Sequence, residues 1–319
     1  MTASSRITIV RNRPDNFGTV TTDDGIALAV TQVGPAAPVT AVFCHGLGLH
    51  AGVWAPQRIQ LADPWRGRAR MVFYDHRGHG ASDPAPTGTA TIDRLASDLA
   101  NVIDGVAPDG SLVLIGHSMG GMTILALAAT QRLLVERVAG VGLLSTTAGL
   151  VTSVGITRLL DTRAHRLLQF ASDHAPIWLD HCWTVTRHLA EPLVGPQFCT
   201  ESAASARFFM EARTDITMIV ELVTDMKRYD AVAALPILRD IPATVVCGRG
   251  DPLLPVGHSR RLAAALPNAE LLILPGAHMI GLEMPTAVNA ALDLLLRRSE
   301  HRIHATEIAP PPAQLPIVS

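Results

Sequence analysis

Six short, unbroken apolar runs punctuate the chain: Val39 to Cys44, Met71 to Tyr74, Leu112 to Ile115, Val138 to Leu144, Ala243 to Cys247 and Leu271 to Leu274. Runs without alternation of polar and apolar positions suit strands buried on both faces. Helical spacing lies between them. Ile92, Leu95, Ala96, Leu99, Val102 and Ile103 recur every three or four residues, as do Met122, Leu125 and Ala129. Strand alternating with helix predicts an α/β fold with a mostly parallel, doubly wound sheet. Ahead of it, Thr19 to Val33 reads as two strands around Asp23-Asp24-Gly25, an antiparallel edge turned by an Asp-Gly pair.

The rhythm stops between Gly149 and Asp240, where amphipathic stretches such as Ile156 to Phe170, Trp178 to Leu189 and Ile216 to Tyr229 follow one another. The predicted organisation is therefore a core made of residues 1–149 and 240–299 with a helical cap, residues 150–239, inserted into it. Residues 300–319, with Ala309-Pro310-Pro311-Pro312 and no periodicity, read as an extended tail.

Composition narrows the function classes. Lys plus Arg number 26 against 28 Asp plus Glu, and no block of like charge could track a phosphate backbone, which argues against a nucleic-acid partner. The apolar patch Ile7 to Val10 is too short for a signal-peptide core, so a cytoplasmic location is expected. The uncharged run Val138 to Thr157 is broken by Ser, Thr and Gly and reads as strand and loop rather than as a membrane span. Cys44, Cys182, Cys199 and Cys247 form no CxxC pair and are expected to be reduced thiols, and no metal site is anticipated.

The chemistry concentrates at Gly116-His117-Ser118-Met119-Gly120, which follows the apolar run LVLI and precedes a helical one. A serine on a sharp strand-to-helix turn is pushed out of the sheet with its hydroxyl exposed, and the flanking glycines leave room for the turn. Ser118 is the expected nucleophile. A hydroxyl needs a base, and an imidazole with a pKa near 6.5 suits the task. Among thirteen histidines, His278 in Pro275-Gly276-Ala277-His278 stands out, because that loop directly follows the last apolar run. Asp251, after Val245-Val246-Cys247-Gly248-Arg249-Gly250, completes the order Ser, Asp, His. A buried carboxylate there would orient the imidazole and stabilise the imidazolium. The run from Val138 ends in Leu144-Ser145-Thr146-Thr147, without a carboxylate to compete. The oxyanion of a tetrahedral intermediate would be met by the backbone N–H groups of Met119 and of Leu47 in His45-Gly46-Leu47-Gly48.

Together with Trp54 and Asp75-His76-Arg77-Gly78-His79-Gly80-Ala81-Ser82-Asp83, these motifs make the chain resemble the α/β-hydrolase superfamily, specifically its esterase- and lipase-like branch with a helical cap. The likeness covers roughly residues 19–149 and 240–298. It implies that Asp75, Arg77 and His79 brace the site rather than react, and that His117 and His45 pack or hydrogen-bond. It also implies a cofactor-free hydrolase working through an acyl-Ser118 intermediate, with His278 as base and then acid, and leaves the substrate open; carboxylic esters, the easiest and commonest substrates, are expected. C–C bond hydrolysis, perhydrolysis, amide or peptide hydrolysis and acyl transfer use the same triad and stay open as alternatives. A ligand-binding protein that has lost turnover is the alternative from a different class. Phe170, Trp178, Trp183, Phe198, Phe208, Phe209 and Tyr229, with Met210, Met218 and Met226, fall in the cap and favour an apolar acyl or aromatic small-molecule substrate. At helical spacing, packing between cap helices is the competing fate for the same side chains.

Overall fold

A computed structural model describes residues 7–10, 15–149 and 214–308, together with Leu167, Phe170, Ala171 and His174. Its centre is a nine-stranded sheet in the order β1-β2-β3-β5-β4-β6-β7-β8-β9. The strands are β1 Ile7–Val10, β2 Asp15–Thr21, β3 Ala27–Val33, β4 Val39–Cys44, β5 Ala69–Tyr74, β6 Ser111–His117, β7 Val138–Leu144, β8 Ala243–Gly248 and β9 Ala269–Leu274. β1, β2 and β3 are antiparallel, β3 runs antiparallel to β5, and all pairs from β5 to β9 are parallel. Gly25 makes the β2–β3 turn at φ 90°, as the Asp-Gly pair predicts. The edge gains a third strand, β1, from the apolar patch Ile7 to Val10, which is too short to register as a strand by pattern alone.

The unbroken apolar runs are explained by helices on both faces. In β4, Val42 and Cys44 face one apolar cluster while Ala41 and Phe43 face the other. The first cluster takes helices α2 Ile92–Val106 and α3 Met119–Thr130, and parts of α4 Ile216–Met226 and α5 Gly257–Ala265. Thr91 caps α2, its hydroxyl accepting from the Arg94 amide at 3.1 Å, and Leu95, Leu99, Val102 and Ile103 form its buried stripe. The second cluster takes the C-terminal helix α6 Pro285–Ile308 and helix α1 Ala55–Leu61, with Phe43 stacked on Phe73 at 4.6 Å and edge-on to Trp54 at 5.3 Å.

One expectation changes. Residues 300–308 are helical rather than part of a tail, because α6 continues to Ile308. Its inner positions Leu292, Leu295, Leu296, Ser299 and Ile303 pack on the sheet, and Arg68 hydrogen-bonds Asp293 and Glu300 from outside. The many charges on the outer face mask that stripe in the sequence. Most of the expected cap, including Trp178, Trp183, Phe198, Phe208, Phe209, Met210, Cys182 and Cys199, lies outside the described residues. Within residues 214–239, Met218 and Met226 are buried, and the Tyr229 hydroxyl donates to the Met122 carbonyl at 3.0 Å. These three side chains pack on the core. Phe170 is exposed and stacks on His174.

Chain order reverses between β4 and β6, the place where loops leaving the carboxyl ends of a doubly wound sheet diverge. The turn after β4, the turn after β6 and the loops after β8 and β9 all meet at that edge.

Candidate active site

Ser118 joins β6 to α3 with φ 53° and ψ −118°, a conformation that side chains avoid and that costs on the order of 1–3 kcal/mol. Its neighbours hold it there. Its N–H donates to Leu144 O at 2.9 Å, and its carbonyl accepts from Thr146 Oγ1 at 2.7 Å and from the Gly121 N–H at 3.0 Å. The glycines around it are dictated by space: a Cβ on Gly120 would stand 2.1 Å from the Cys44 carbonyl oxygen, and one on Gly116 would stand 2.5 Å from Gly120.

The loop after β9 carries His278 back to this turn. Its Nε2 lies 3.0 Å from Ser118 Oγ, and its Nδ1 lies 2.8 Å from Asp251 Oδ2. The three residues singled out in the sequence are thus brought together in one chain of hydrogen bonds. Asp251 is fully enclosed at its side chain, and its other oxygen accepts from the Leu253 and Leu254 amides, both at 2.9 Å. Burial by itself would raise its pKa, but the bond from His278, the imidazole's charge and the two amides outweigh burial and hold the carboxyl below its ordinary range. It stays ionised, as the partner of an imidazolium must. Close packing of the two loops needs Gly248, where a Cβ would stand 2.1 Å from the Ala277 carbonyl oxygen.

The turn after β4 completes the arrangement around Ser118. Gly46 lies against the serine, since a Cβ there would stand 3.3 Å from Ser118 Cβ. Leu47 is partly buried against the core, and Met119 is the first residue of α3. Among the described residues, neither of their amides has a hydrogen-bond acceptor, which leaves both donors available beside Ser118.

Behind that turn sits a cluster of buried histidines. The His45 Nε2 accepts from the His76 amide at 3.0 Å, so its Nδ1 carries the proton and donates to Gly46 O at 2.8 Å. The His79 Nε2 accepts from the Gly48 amide at 3.2 Å, and its Nδ1 donates to Arg77 O. The His76 Nε2 donates to the His45 carbonyl at 3.2 Å and its Nδ1 accepts from the Tyr74 hydroxyl. Burial first, and mutual repulsion second, push His76 down to about 3 and hold His45 well below its ordinary value. Burial alone takes His79 down to about 4. All three are neutral struts. Asp75 accepts from the Ala51 amide at 2.6 Å and from the Ala81 amide at 2.8 Å. Arg77, with no exposed surface, forks onto both Asp98 and Asp24.

One contributor reads in the sequence only as a packing or hydrogen-bonding residue, and another escapes the sequence reading. His117 is fully buried, and its Nε2 donates to the His278 carbonyl at 2.8 Å. Burial and the neighbouring His278 push its pKa down to about 3. Glu283 accepts from the Met279 amide at 3.1 Å and from the Ala277 amide. The only trace of it in the sequence is a carboxylate five residues after the histidine. Among the described residues, no His, Cys, Asp or Glu cluster could hold a metal ion, and no helix is long and apolar enough to cross a membrane.

Known proteins resemble this arrangement along most of its length. The family described as the alpha/beta hydrolase fold matches residues 41–285. The protein named "Putative carbamate hydrolase RutD" of Caulobacter segnis is 30% identical over 285 residues, 86% of this chain and 97% of its own. The enol-lactonase from Burkholderia xenovorans is a structural neighbour with a TM-score of 0.64 at 25% identity, covering 88% of this chain and 99% of its own. A thermophilic esterase from Thermogutta terrifontis shares the fold with a TM-score of 0.65 at 24% identity, over 92% and 99% of the two chains. With the family matched across three quarters of its length, this chain belongs to the α/β hydrolase fold family and is a hydrolase.

Proposed function

We propose that the protein cleaves carboxylic esters with apolar acyl or aromatic groups through an acyl-Ser118 intermediate. The observation that carries this reading is the hydrogen-bonded line from Ser118 Oγ through His278 to Asp251, at 3.0 and 2.8 Å. His278 Nε2 takes the hydroxyl proton as Oγ attacks the carbonyl carbon, and Asp251 keeps the Nδ1 proton in place and stabilises the imidazolium. The oxyanion is met by the amides of Leu47 and Met119, each contributing on the order of 3 kcal/mol to the transition state. The imidazolium returns its proton to the leaving alkoxide, and water then repeats the sequence in reverse. No cofactor enters these steps, the substrate is a small molecule, and a cytoplasmic location suits it.

A second reading has support in the Caulobacter relative, whose name gives a carbamate as substrate. A carbamate carbonyl bears nitrogen in place of carbon, and the same serine would attack it. Labelling with a fluorophosphonate, followed by turnover of p-nitrophenyl acetate, p-nitrophenyl hexanoate, phenyl acetate and a simple carbamate, tests both. Ester turnover that vanishes in Ser118→Ala is the expected result. Failure of the probe to label Ser118, with no ester cleaved above the Ser118→Ala background, refutes the serine mechanism. Preference for the carbamate would move the substrate while keeping that mechanism.

A further inference from the structure

We propose that Glu283 and His117 are positioning residues that clamp the backbone on both sides of the base, an inference that rests on reading His278 as that base. The loop from Pro275 to Met279 has no regular structure of its own, yet it must present an imidazole to two partners at once. Three consecutive residues of this loop are held by two side chains. The Glu283 carboxylate accepts from the Ala277 amide with Oε2 and from the Met279 amide with Oε1, bracketing His278. Between those amides, the His278 carbonyl accepts the Nε2 proton of His117. Bonds from amides to an ionised carboxylate are about twice as strong as neutral ones, which suits them to pinning a loop.

The surrounding residues are shaped to this clamp. Gly276 is bare because a Cβ would stand 2.7 Å from Glu283 Oε2 and 2.7 Å from Ile280 Cδ1. The Gly276 carbonyl accepts from the Gly250 amide at 2.8 Å, so the pinned loop is fastened in turn to the residue before Asp251. His117 reaches further. It is the chain neighbour of Ser118, its ring centre is 5.0 Å from that of His278, and its Nδ1 lies 2.9 Å from where a Cβ on Gly46 would stand. One neutral ring therefore touches the nucleophile's turn, the base's loop and the oxyanion turn. Glu283 and His117 touch no reacting atom. Their effect is on where the imidazole sits, and a displacement near 1 Å in such a site costs on the order of 10²-fold in rate.

The test compares wild type, Glu283→Ala, Glu283→Gln, His117→Phe and His278→Ala by the rate constant and the final stoichiometry of fluorophosphonate labelling, with kcat and KM on p-nitrophenyl acetate. Glu283→Ala is expected to label to the same stoichiometry but on the order of 10²-fold more slowly, with kcat falling in parallel and KM within about threefold. Glu283→Gln keeps one acceptor oxygen and should recover about tenfold of that loss. His117→Phe keeps the ring but not the donor, and should fall by about tenfold or more. A Glu283→Ala rate constant within about threefold of wild type, or reduced stoichiometry at an unchanged rate constant, overturns the proposal. If Glu283→Ala does not fold, Glu283→Gln decides, and a Gln variant indistinguishable from wild type overturns it. Wild-type labelling by His278→Ala would instead defeat the base assignment itself.

Discussion

Acid should unfold this protein well before its carboxylates titrate, and the buried histidines set how early. His76, His79 and His117 are held neutral, with pKa values near 3, 4 and 3, by burial that their carbonyl partners offset only in part. Their folded values lie below the unfolded value of about 6.5, so the unfolded chain binds more protons. The stability they contribute is fully present above about pH 6.5 and is lost as the pH falls toward the folded values. At pH 5 each forfeits about 2 kcal/mol, and the three together about 6 kcal/mol, against a total stability of roughly 5–15 kcal/mol. His45 shifts in the same direction and adds to the loss. Asp24, lowered to about 2 by the Arg77 guanidinium, acts in a separate window below about pH 4.

The measurement is proton uptake on unfolding in guanidinium chloride at constant pH 5.5, read by back-titration, together with unfolding free energies at pH 8, 7, 6 and 5. Uptake close to three protons per chain or above is expected at pH 5.5. Stability should be nearly flat from pH 8 to 7 and fall by about 4 kcal/mol per pH unit near pH 5. His79→Gln should reduce the uptake by about one proton. Uptake of fewer than about two protons would mean that these rings are charged or solvated in the folded state, and the argument would fail.

Three further outcomes follow from the same geometry. Ser118→Gly removes the nucleophile and relieves the strained φ of 53°, so it should abolish turnover while raising stability by about 1 kcal/mol in denaturant titration. A loss of stability would mean that the turn is not strained. Asp251→Asn leaves the fold intact but disturbs the tautomer of His278, and kcat should fall on the order of 10⁴-fold; a loss below about tenfold assigns the acid elsewhere. Gly120→Ala forces a methyl onto the Cys44 carbonyl at 2.1 Å, contact with backbone that cannot rotate away, and should destabilise by about 2–3 kcal/mol, visible as a lower denaturation midpoint.

How much of this could be read from the chain depends on where each constraint resides. The strands from β4 to β8 were legible because burial on both faces leaves unbroken apolar runs, and the half-buried edge strand β9 because its run is still apolar; the elbow was legible because close backbone, from Gly120 at Gly116 and from Cys44 at Gly120, demands its glycines. Ser118, Asp251 and His278 each ends or follows such a run, so their meeting could be anticipated from order alone. The last turns of α6 were not legible, since charged residues surround its stripe, among them Asp293 and Glu300, which bond Arg68, and Arg298, which bonds the Ala243 and Asn268 carbonyls. Glu283 escaped because its partners are main-chain amides, which leave no residue-type signature. His117 was legible as a hydrogen-bonding residue, but its partner is a carbonyl 161 positions away.

The separation of Ser118 from its proposed base, His278, also has a consequence in time. The two lie 160 residues apart along the chain. At 5–20 residues per second, a ribosome needs on the order of 10 s to make the intervening stretch. Throughout that interval the nascent chain holds Ser118 without the base proposed for it. On the proposed mechanism, reactivity switches on only when β8 and β9 dock beside β7 and bring Asp251 and His278 to Ser118. Recovery of turnover during refolding would therefore report the docking of β8 and β9 beside β7.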